Sequence, residues 1–257
     1  MDPNEIKQMV RSRYGSIAAG AAGCCGARPS PQAQSLAMGY SPAELAAVPE
    51  GANLGLGCGN PQALAAMRAG EVVVDLGSGA GFDCFLAAQQ VGPQGCVIGI
   101  DMTPEMLQKA RDNAARIGAD NVEFRLGEIE NLPLADNAAD LVISNCVINL
   151  VPDKARVYRE AFRVLKPGGR IAVSDVVNTA PLPADLAGDP SLLCGCVAGA
   201  AAPAQVADWL AAAGFVDVRI TIAAESRALV ESWAPGLGIA DCVAAATIAA
   251  RKPAGEG

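Results

Sequence analysis

A carboxylate followed by three glycines at alternate positions, Asp75-Leu76-Gly77-Ser78-Gly79-Ala80-Gly81, is the stretch of this 257-residue chain best suited to hold a ligand. The preceding Val72-Val73-Val74 reads as a buried strand, and Phe82 to about Gln90 as a helix. A backbone without Cβ atoms lets a ligand lie against the main chain, at the turn where open α/β sheets take their cofactors. The spacing is D-x-G-x-G-x-G, not the G-x-G-x-x-G of pyrophosphate binders. Asp75 would repel a diphosphate and suits a cationic or hydroxylated ligand. Twenty residues beyond Gly81, a second buried stretch from Cys96 ends at Asp101, whose carboxylate can take both hydroxyls of a ribose. The glycine turn alone would also fit a dinucleotide-binding fold or a plain tight turn.

The set resembles the motifs of class I S-adenosylmethionine-dependent methyltransferases. That resemblance implies a methyl donor held by Asp75, Gly77, Gly79 and Gly81 around its amino-acid portion and by Asp101 at its ribose. Met102 and Asn145 complete the implied donor set. In Gly127-Glu128-Ile129-Glu130 it implies that Glu128 accepts a hydrogen bond from the adenine amino group and that Ile129 packs on the ring. A solvated acidic turn is the plainer reading of that segment.

Bulk properties narrow the chemistry further. The formal net charge is −8 and hydrophobic residues make up 51% of the chain. An acidic chain without a basic cluster is poorly suited to nucleic acid or to anionic membranes. No apolar run reaches the roughly 20 residues of a membrane span, and Met1 to Lys7 does not read as a signal peptide. The expectation is a cytoplasmic, monomeric enzyme with a small-molecule substrate. The chain has no histidine, which excludes imidazole bases, Ser-His-Asp triads and histidine–metal sites. It has nine cysteines, Cys24, Cys25, Cys58, Cys84, Cys96, Cys146, Cys194, Cys196 and Cys242. An odd number with no C-x-x-C pair argues against a disulfide framework or zinc ribbon.

The elements that must position these residues alternate along the chain. Strands are expected near 71–76, 96–101, 122–126, 140–146 and 170–177, with helices near 82–90, 103–117 and 153–165. Such alternation predicts a doubly wound α/β sheet of Rossmann-like methyltransferase type. A helix near 203–213 and strands near 215–223 and 241–250 follow. The last two strands complete the seven that the resemblance implies. Before the core, a short helix is expected over 3–11, then a mobile small-residue stretch over 15–28. Ser41-Pro42-Ala43-Glu44 reads as a capping box, and Asn60-Pro61 as the start of a helix reaching Arg68. The chain divides into an N-terminal segment (1–69) with the Cys58 loop, a donor-binding core (70–180), and a C-terminal region (181–257) carrying Cys194 and Cys196 and the final strands.

Three thiols stand out by position. Cys58 lies in a glycine loop whose glycines should expose it. Cys146 lies at the end of the fourth strand, beside the expected methyl donor. Cys196 lies among small residues that should leave its sulfur accessible. All three belong to segments on the ligand side of the sheet, where converging thiolates would form a soft trigonal pocket suited to trivalent arsenic. Gly55-Leu56-Gly57-Cys58-Gly59-Asn60-Pro61, Ser144-Asn145-Cys146-Val147-Ile148-Asn149-Leu150 and Gly195-Cys196-Val197-Ala198-Gly199-Ala200 resemble the cysteine signatures of arsenite methyltransferases. So does Asp101-Met102-Thr103-Pro104-Glu105-Met106-Leu107. The similarity runs from about Tyr14 to Thr221 and includes Tyr14-Gly15 and the Cys24-Cys25 pair, where the family carries a further cysteine. Cys194 competes with Cys196 as third ligand, and either Cys24 or Cys25 could serve as the auxiliary thiol.

The resemblance implies methyl transfer from S-adenosylmethionine to arsenite that arrives as a thiol conjugate and is held by Cys58, Cys146 and Cys196. It also implies a thiol reductant such as glutathione or thioredoxin. A proton-free nucleophile needs no base, in keeping with a chain devoid of histidine. The alternatives are a methyltransferase acting on carbon or oxygen of a small organic acceptor, and a non-catalytic thiol sensor for metalloids on the same scaffold.

Overall fold

The computed structural model describes residues 1–20 and 29–255. The first strand, β1 (Val72–Leu76), is a hydrophobic run with its last four residues buried, as expected for a strand covered on both faces. Around it the sheet takes the order β3-β2-β1-β4-β5-β7-β6, with β2 at Cys96–Asp101, β3 at Val122–Leu126, β4 at Ala139–Asn145, β5 at Leu165–Asn178, β6 at Val216–Ile222 and β7 at Val243–Arg251. β1 to β5 run parallel, while β7 pairs antiparallel with β5 and with β6. The sequence-based expectation of seven strands in a doubly wound sheet holds. The strand order reverses between β1 and β4, and their carboxyl ends open the crevice in which such sheets bind ligands.

Eleven α-helices are seen among the described residues. The N-terminal ones are α1 (Pro3–Ala18), α2 (Pro31–Ala37), α3 (Pro42–Ala46) and α4 (Gln62–Ala65). Within the core lie α5 (Phe82–Val91), α6 (Pro104–Ile117) and α7 (Lys154–Val164). After β5 come α8 (Ala184–Ala187), α9 (Pro190–Cys194), α10 (Pro203–Ala213) and α11 (Arg227–Trp233). The Ser41 capping box forms as expected, with both reciprocal bonds to Glu44.

The N-terminal region departs from expectation in three places. α1 runs past residue 11 through Gly15 to Ala18, because Gly15 lets it lie close on α6. A Cβ there would meet the Glu105 carboxylate at 3.3 Å. α4 stops short of Arg68, since Ala66 turns left-handed (φ 43°) and the Arg170 guanidinium takes the Ala65 and Ala66 carbonyls at 2.7 and 2.8 Å. The mobile stretch expected after α1, with Cys24 and Cys25, falls largely outside the described residues.

Two apolar clusters sandwich the sheet. On one face Val74, Leu76, Val142 and Val173 meet α7 and α10 through Tyr158, Ala161 and Leu210. On the other face Val73, Val97, Leu141 and Ile143 meet α5 and α6 through Phe85, Ala87 and Leu107. A third cluster gathers Cys58, Cys194, Cys196, Leu150, Val176 and Leu192 at the carboxyl end of the sheet. Leu210 is fully buried in the first cluster, away from that end. Truncating it to alanine is expected to lower the stability of the fold by about 3 kcal/mol. The midpoint of urea denaturation would fall accordingly, while ligand binding at the opposite end of the sheet is retained.

Candidate active site

Two clefts open at the carboxyl ends of β1, β2 and β4. The first, about 970 Å³ including its open mouth, is lined by Asp75, Gly77, Gly79, Asp83, Asp101, Met102, Ile129, Glu130, Asn145, Cys146 and neighbouring residues. Val10 and Tyr14 of α1 form part of its wall. The second is lined by Arg13, Tyr14, Gly57, Cys146, Cys194, Cys196 and the α11 residues Leu229 and Trp233, among others. Tyr14, Leu56, Gly57 and Cys146 belong to the walls of both.

The first cleft fits a nucleoside-bearing methyl donor. The backbone runs left-handed at Gly79 (φ 52°), and a Cβ placed there would point into open space, with Met106 Sδ the nearest atom at 4.0 Å. The Asp101 carboxylate is fixed at the cleft edge by Gly79 N and Thr103 N, at 2.9 and 2.8 Å. Ser78 Oγ is buried there without a protein partner. Asp75 is buried and accepts a hydrogen bond from the Cys84 thiol at 3.2 Å. Burial, with Asp83 nearby, pushes its pKa well above the usual carboxylate range.

Most of the sequence-derived donor residues therefore border one cleft: Asp75, Gly77, Gly79, Asp101, Met102, Ile129 and Asn145. Two do not. Gly81 lies behind the turn, packed on Phe85 and Phe124. Glu128 is turned away, its carboxylate held by Lys7 at 2.6 Å and Arg11 at 3.7 Å. It is Glu130 that lines the cleft, itself 3.1 Å from Lys7. The basic side chains of α1, remote in sequence, redirect the acidic residue of this turn.

Asn145 has a second duty that the sequence did not disclose. Its Oδ1 accepts from Cys58 N at 3.1 Å, and its Nδ2 donates to Gly59 O at 2.9 Å. The amide thus clamps the Cys58 loop onto the end of β4, one residue before Cys146. The same Nδ2 lies 3.0 Å from Tyr40 Oη and 3.3 Å from Asp83 Oδ2. Tyr40 and Gln62 also donate to Asp83, at 2.7 and 3.2 Å, so this buried carboxylate is held by neutral donors alone. The loop comes so close that a Cβ on Gly57 would lie 2.8 Å from the Asn145 amide.

The Cys196 segment is tied down separately. Asn178 N donates to Ala201 O at 2.9 Å. Gly199 lies so near Asn149 O that a Cβ would sit 2.1 Å from it. The outcome is a cluster. Cys58 Sγ, Cys146 Sγ and a carboxylate oxygen of Asp175 lie within 4.8 Å of one another, and Cys196 Sγ donates to Cys146 O at 2.8 Å. Cys146 and Cys196 both have left-handed backbones, with φ of 57° and 65°. This conformation disfavours residues with a Cβ and is found where the surrounding structure imposes it.

The expected accessibility of these sulfurs is corrected: Cys58 is 2% and Cys196 3% exposed, because the apolar cluster at the sheet end closes over them. Burial pushes the Cys58 thiol up to about 11. Cys196 rises well above its ordinary value through its hydrogen bond with Cys146 and through burial. Cys146 is drawn down by Cys196, but its bond with Cys58 and burial outweigh this and raise it. Burial and mutual contact thus shift all three toward the protonated form. Cys194 lines the second cleft with Cys196, and its backbone carbonyl accepts from Tyr14 Oη at 3.2 Å. Asp175, buried behind the thiols, has its pKa raised to about 6 by desolvation, against hydrogen bonds from Val176 N and the 148–149 turn.

The fold and the glycine turn define a methyltransferase-domain protein, and a family model of that description matches residues 67–214. The arsenite methyltransferase of Halobacterium salinarum is 52% identical to this chain, covering 98% of it and 68% of that protein. The human arsenite methyltransferase is 42% identical over 59% of this chain and 43% of its own length. The crystal structure of an arsenic(III) S-adenosylmethionine methyltransferase from Chlamydomonas reinhardtii is 34% identical and covers 90% of this chain and 76% of that one, with a TM-score of 0.61. The chain belongs to the arsenite methyltransferase family.

Two predictions follow from this geometry. Replacing Asn145 by alanine leaves Cys58 N unpaired and frees its loop, at a cost of about 1–3 kcal/mol. Cys58 should then be alkylated by iodoacetamide at least tenfold faster than in the parent, read by peptide mass spectrometry, while fully buried Cys84 stays protected. The second concerns pH. Asp175, Asp75 and Asp83 have raised pKa values in the folded state, so between about pH 4 and 6 the folded chain holds protons that the unfolded chain has released. Stability should fall as pH rises through this window, giving a higher urea midpoint at pH 5 than at pH 7. Asp175→Asn should reduce the difference.

Proposed function

We propose that this chain transfers a methyl group from S-adenosylmethionine to trivalent arsenic held by Cys58, Cys146 and Cys196. The observation that carries the reading is the position of Cys146. It is common to the donor cleft and the thiol cleft, with Cys58 Sγ within 4.8 Å of its sulfur and Cys196 Sγ donating to its carbonyl at 2.8 Å. An arsenic atom on these sulfurs is held at the boundary between the clefts. S-adenosylmethionine, when bound, supplies a methyl group on positively charged sulfur.

The chain's contribution begins with capture of the substrate. Arsenite reacts as As(OH)3, or as its conjugate with a small thiol. Each cysteine forms one As–S bond and passes its proton to the departing hydroxide or thiolate, which leaves as water or free thiol. Raised thiol pKa values suit this exchange, because the proton is needed by the leaving group. Trivalent arsenic with three sulfur bonds keeps a lone pair that carries no proton, so no base is required. Asn145 and the two close-packed glycines fix the segments that carry the sulfurs, and alignment of two partners is the main catalytic resource. Asp75, Gly77, Gly79, Asp101, Met102 and Ile129 would hold the donor.

Methylation raises arsenic formally by two electrons. A thiol reductant such as glutathione or thioredoxin would return it to the trivalent state, with Cys24 or Cys25 as auxiliary thiol. The setting proposed is the cytoplasm, where thiols stay reduced. The acceptor proposed is a small arsenite–thiol conjugate, with the chain acting as a monomer and without nucleic acid or membrane as partner. No helix among the described residues is long and apolar enough to cross a membrane.

The test combines spectroscopy with turnover. Arsenic K-edge absorption of the arsenite-loaded protein should show three sulfur neighbours. Fewer than two would defeat the reading. Cys146→Ser should lower methylarsenical formation from labelled donor by about a hundredfold or more, with donor affinity unchanged. Parallel loss of donor binding would assign Cys146 to the donor cleft alone.

A further inference from the structure

The thiol cluster contains a group that trivalent arsenic does not use. Arsenic(III) takes three sulfurs in a pyramid and has no need of a hard oxygen donor, yet the Asp175 carboxylate lies within 4.8 Å of both Cys58 Sγ and Cys146 Sγ. We propose that Cys58, Cys146 and Asp175 form a second binding mode, a site for a divalent thiophilic cation such as zinc, whose occupancy excludes arsenic. The exclusion, though not the cation site itself, rests on the arsenic reading above.

Three observations support the donor set. The first is reach. Sulfur and oxygen ligands of tetrahedral zinc sit about 3.5–3.8 Å apart, so closing the cluster on an ion needs at most about 1 Å of movement. The second is orientation. Oδ1 of Asp175 accepts from Asn149 Nδ2 and Val176 N, both at 2.8 Å, and Oδ2 accepts from Ile148 N at 3.1 Å. These bonds hold the carboxylate as outer partners hold a ligating carboxylate, and they leave one of its four lone-pair positions for a cation. The third is charge. Two thiolates and one carboxylate give −3, a donor set that attracts a divalent cation and leaves a single net negative charge once it is bound. Zinc accepts mixed sulfur and oxygen donors in a tetrahedron. On binding, each of the two thiols releases its proton to solvent. Cys196 is not required.

The two ligands should therefore respond oppositely to two substitutions. The full chain, reduced and free of metal, is titrated with Co2+, with Zn2+ and, separately, with arsenite. One Co2+ per chain is expected, with the intense visible bands of tetrahedral cobalt and sulfur-to-cobalt charge transfer, displaced by one Zn2+. Zinc should displace arsenite. Asp175→Asn should weaken zinc at least tenfold, the scale of a lost ligand or its support, and change arsenite affinity less than threefold. Cys196→Ser should do the reverse. A weak octahedral cobalt spectrum would overturn the site, as would unchanged zinc affinity in Asp175→Asn, or equal loss of zinc and arsenite there. Should the Asn variant fail to fold, the wild-type cobalt spectrum and the Cys196→Ser arm decide. A protein that takes zinc but not arsenite would sustain the cation site and remove the arsenic reading.

Discussion

The site depends on one side-chain amide. Asn145 ends β4, and through it the Cys58 loop, 87 residues away along the chain, is held on the strand that delivers Cys146. The bond pair to Cys58 N and Gly59 O satisfies loop backbone that would otherwise be buried without partners. The loop's approach requires a residue without a Cβ at Gly57. The clamp is anchored in turn by Asp83, Tyr40 and Gln62, which link the first turn of α5, the segment before α3 and the start of α4. Donor cleft and thiol cluster thus share one wall.

The cover over the sulfurs shifts them toward their protonated forms. A cluster of sulfurs under an apolar cover is poorly hydrated, and with Asp175 beside it the charged forms are disfavoured. Reactive cysteines usually sit in electropositive, partly exposed surroundings. The present arrangement is opposite, and it suits a metalloid acceptor, since neutral arsenite exchanges oxygen for sulfur without net release of protons. Left-handed backbone at Cys146 and Cys196 is a local cost carried by the fold. Cys146 N donates to Ser174 O of β5 at 2.8 Å, and Gly199 packs closely on Asn149 O, so both segments are anchored beside these residues.

Much of this is legible in the sequence. Strand and helix positions in the core agreed with the structure to within a few residues, because buried runs and capping residues are local signals. Position along the motifs together with family resemblance singles out Cys58, Cys146 and Cys196, which the fold gathers in one cluster at the carboxyl end of the sheet. The Asn145 clamp is not legible there, nor is the part played by Asp175, since neither residue carries a local signature. Glu128 shows the limit from the other side. The turn was located correctly, but Lys7 and Arg11, more than 115 residues earlier in the chain, decide which way its carboxylate points.

The amino-acid sequence by itself determined the fold class, the glycine turn with its two carboxylates, and the exclusion of imidazole chemistry, because these depend on residue type and short-range spacing. Only the tertiary structure decided that sulfurs from distant segments meet under an apolar cover that favours their protonated forms, and that Cys196 Sγ reaches the Cys146 carbonyl. Burial, hydrogen-bond pairing and the ionisation they impose are properties of neighbours in space. The chain brings those neighbours together across separations of 50 residues and more.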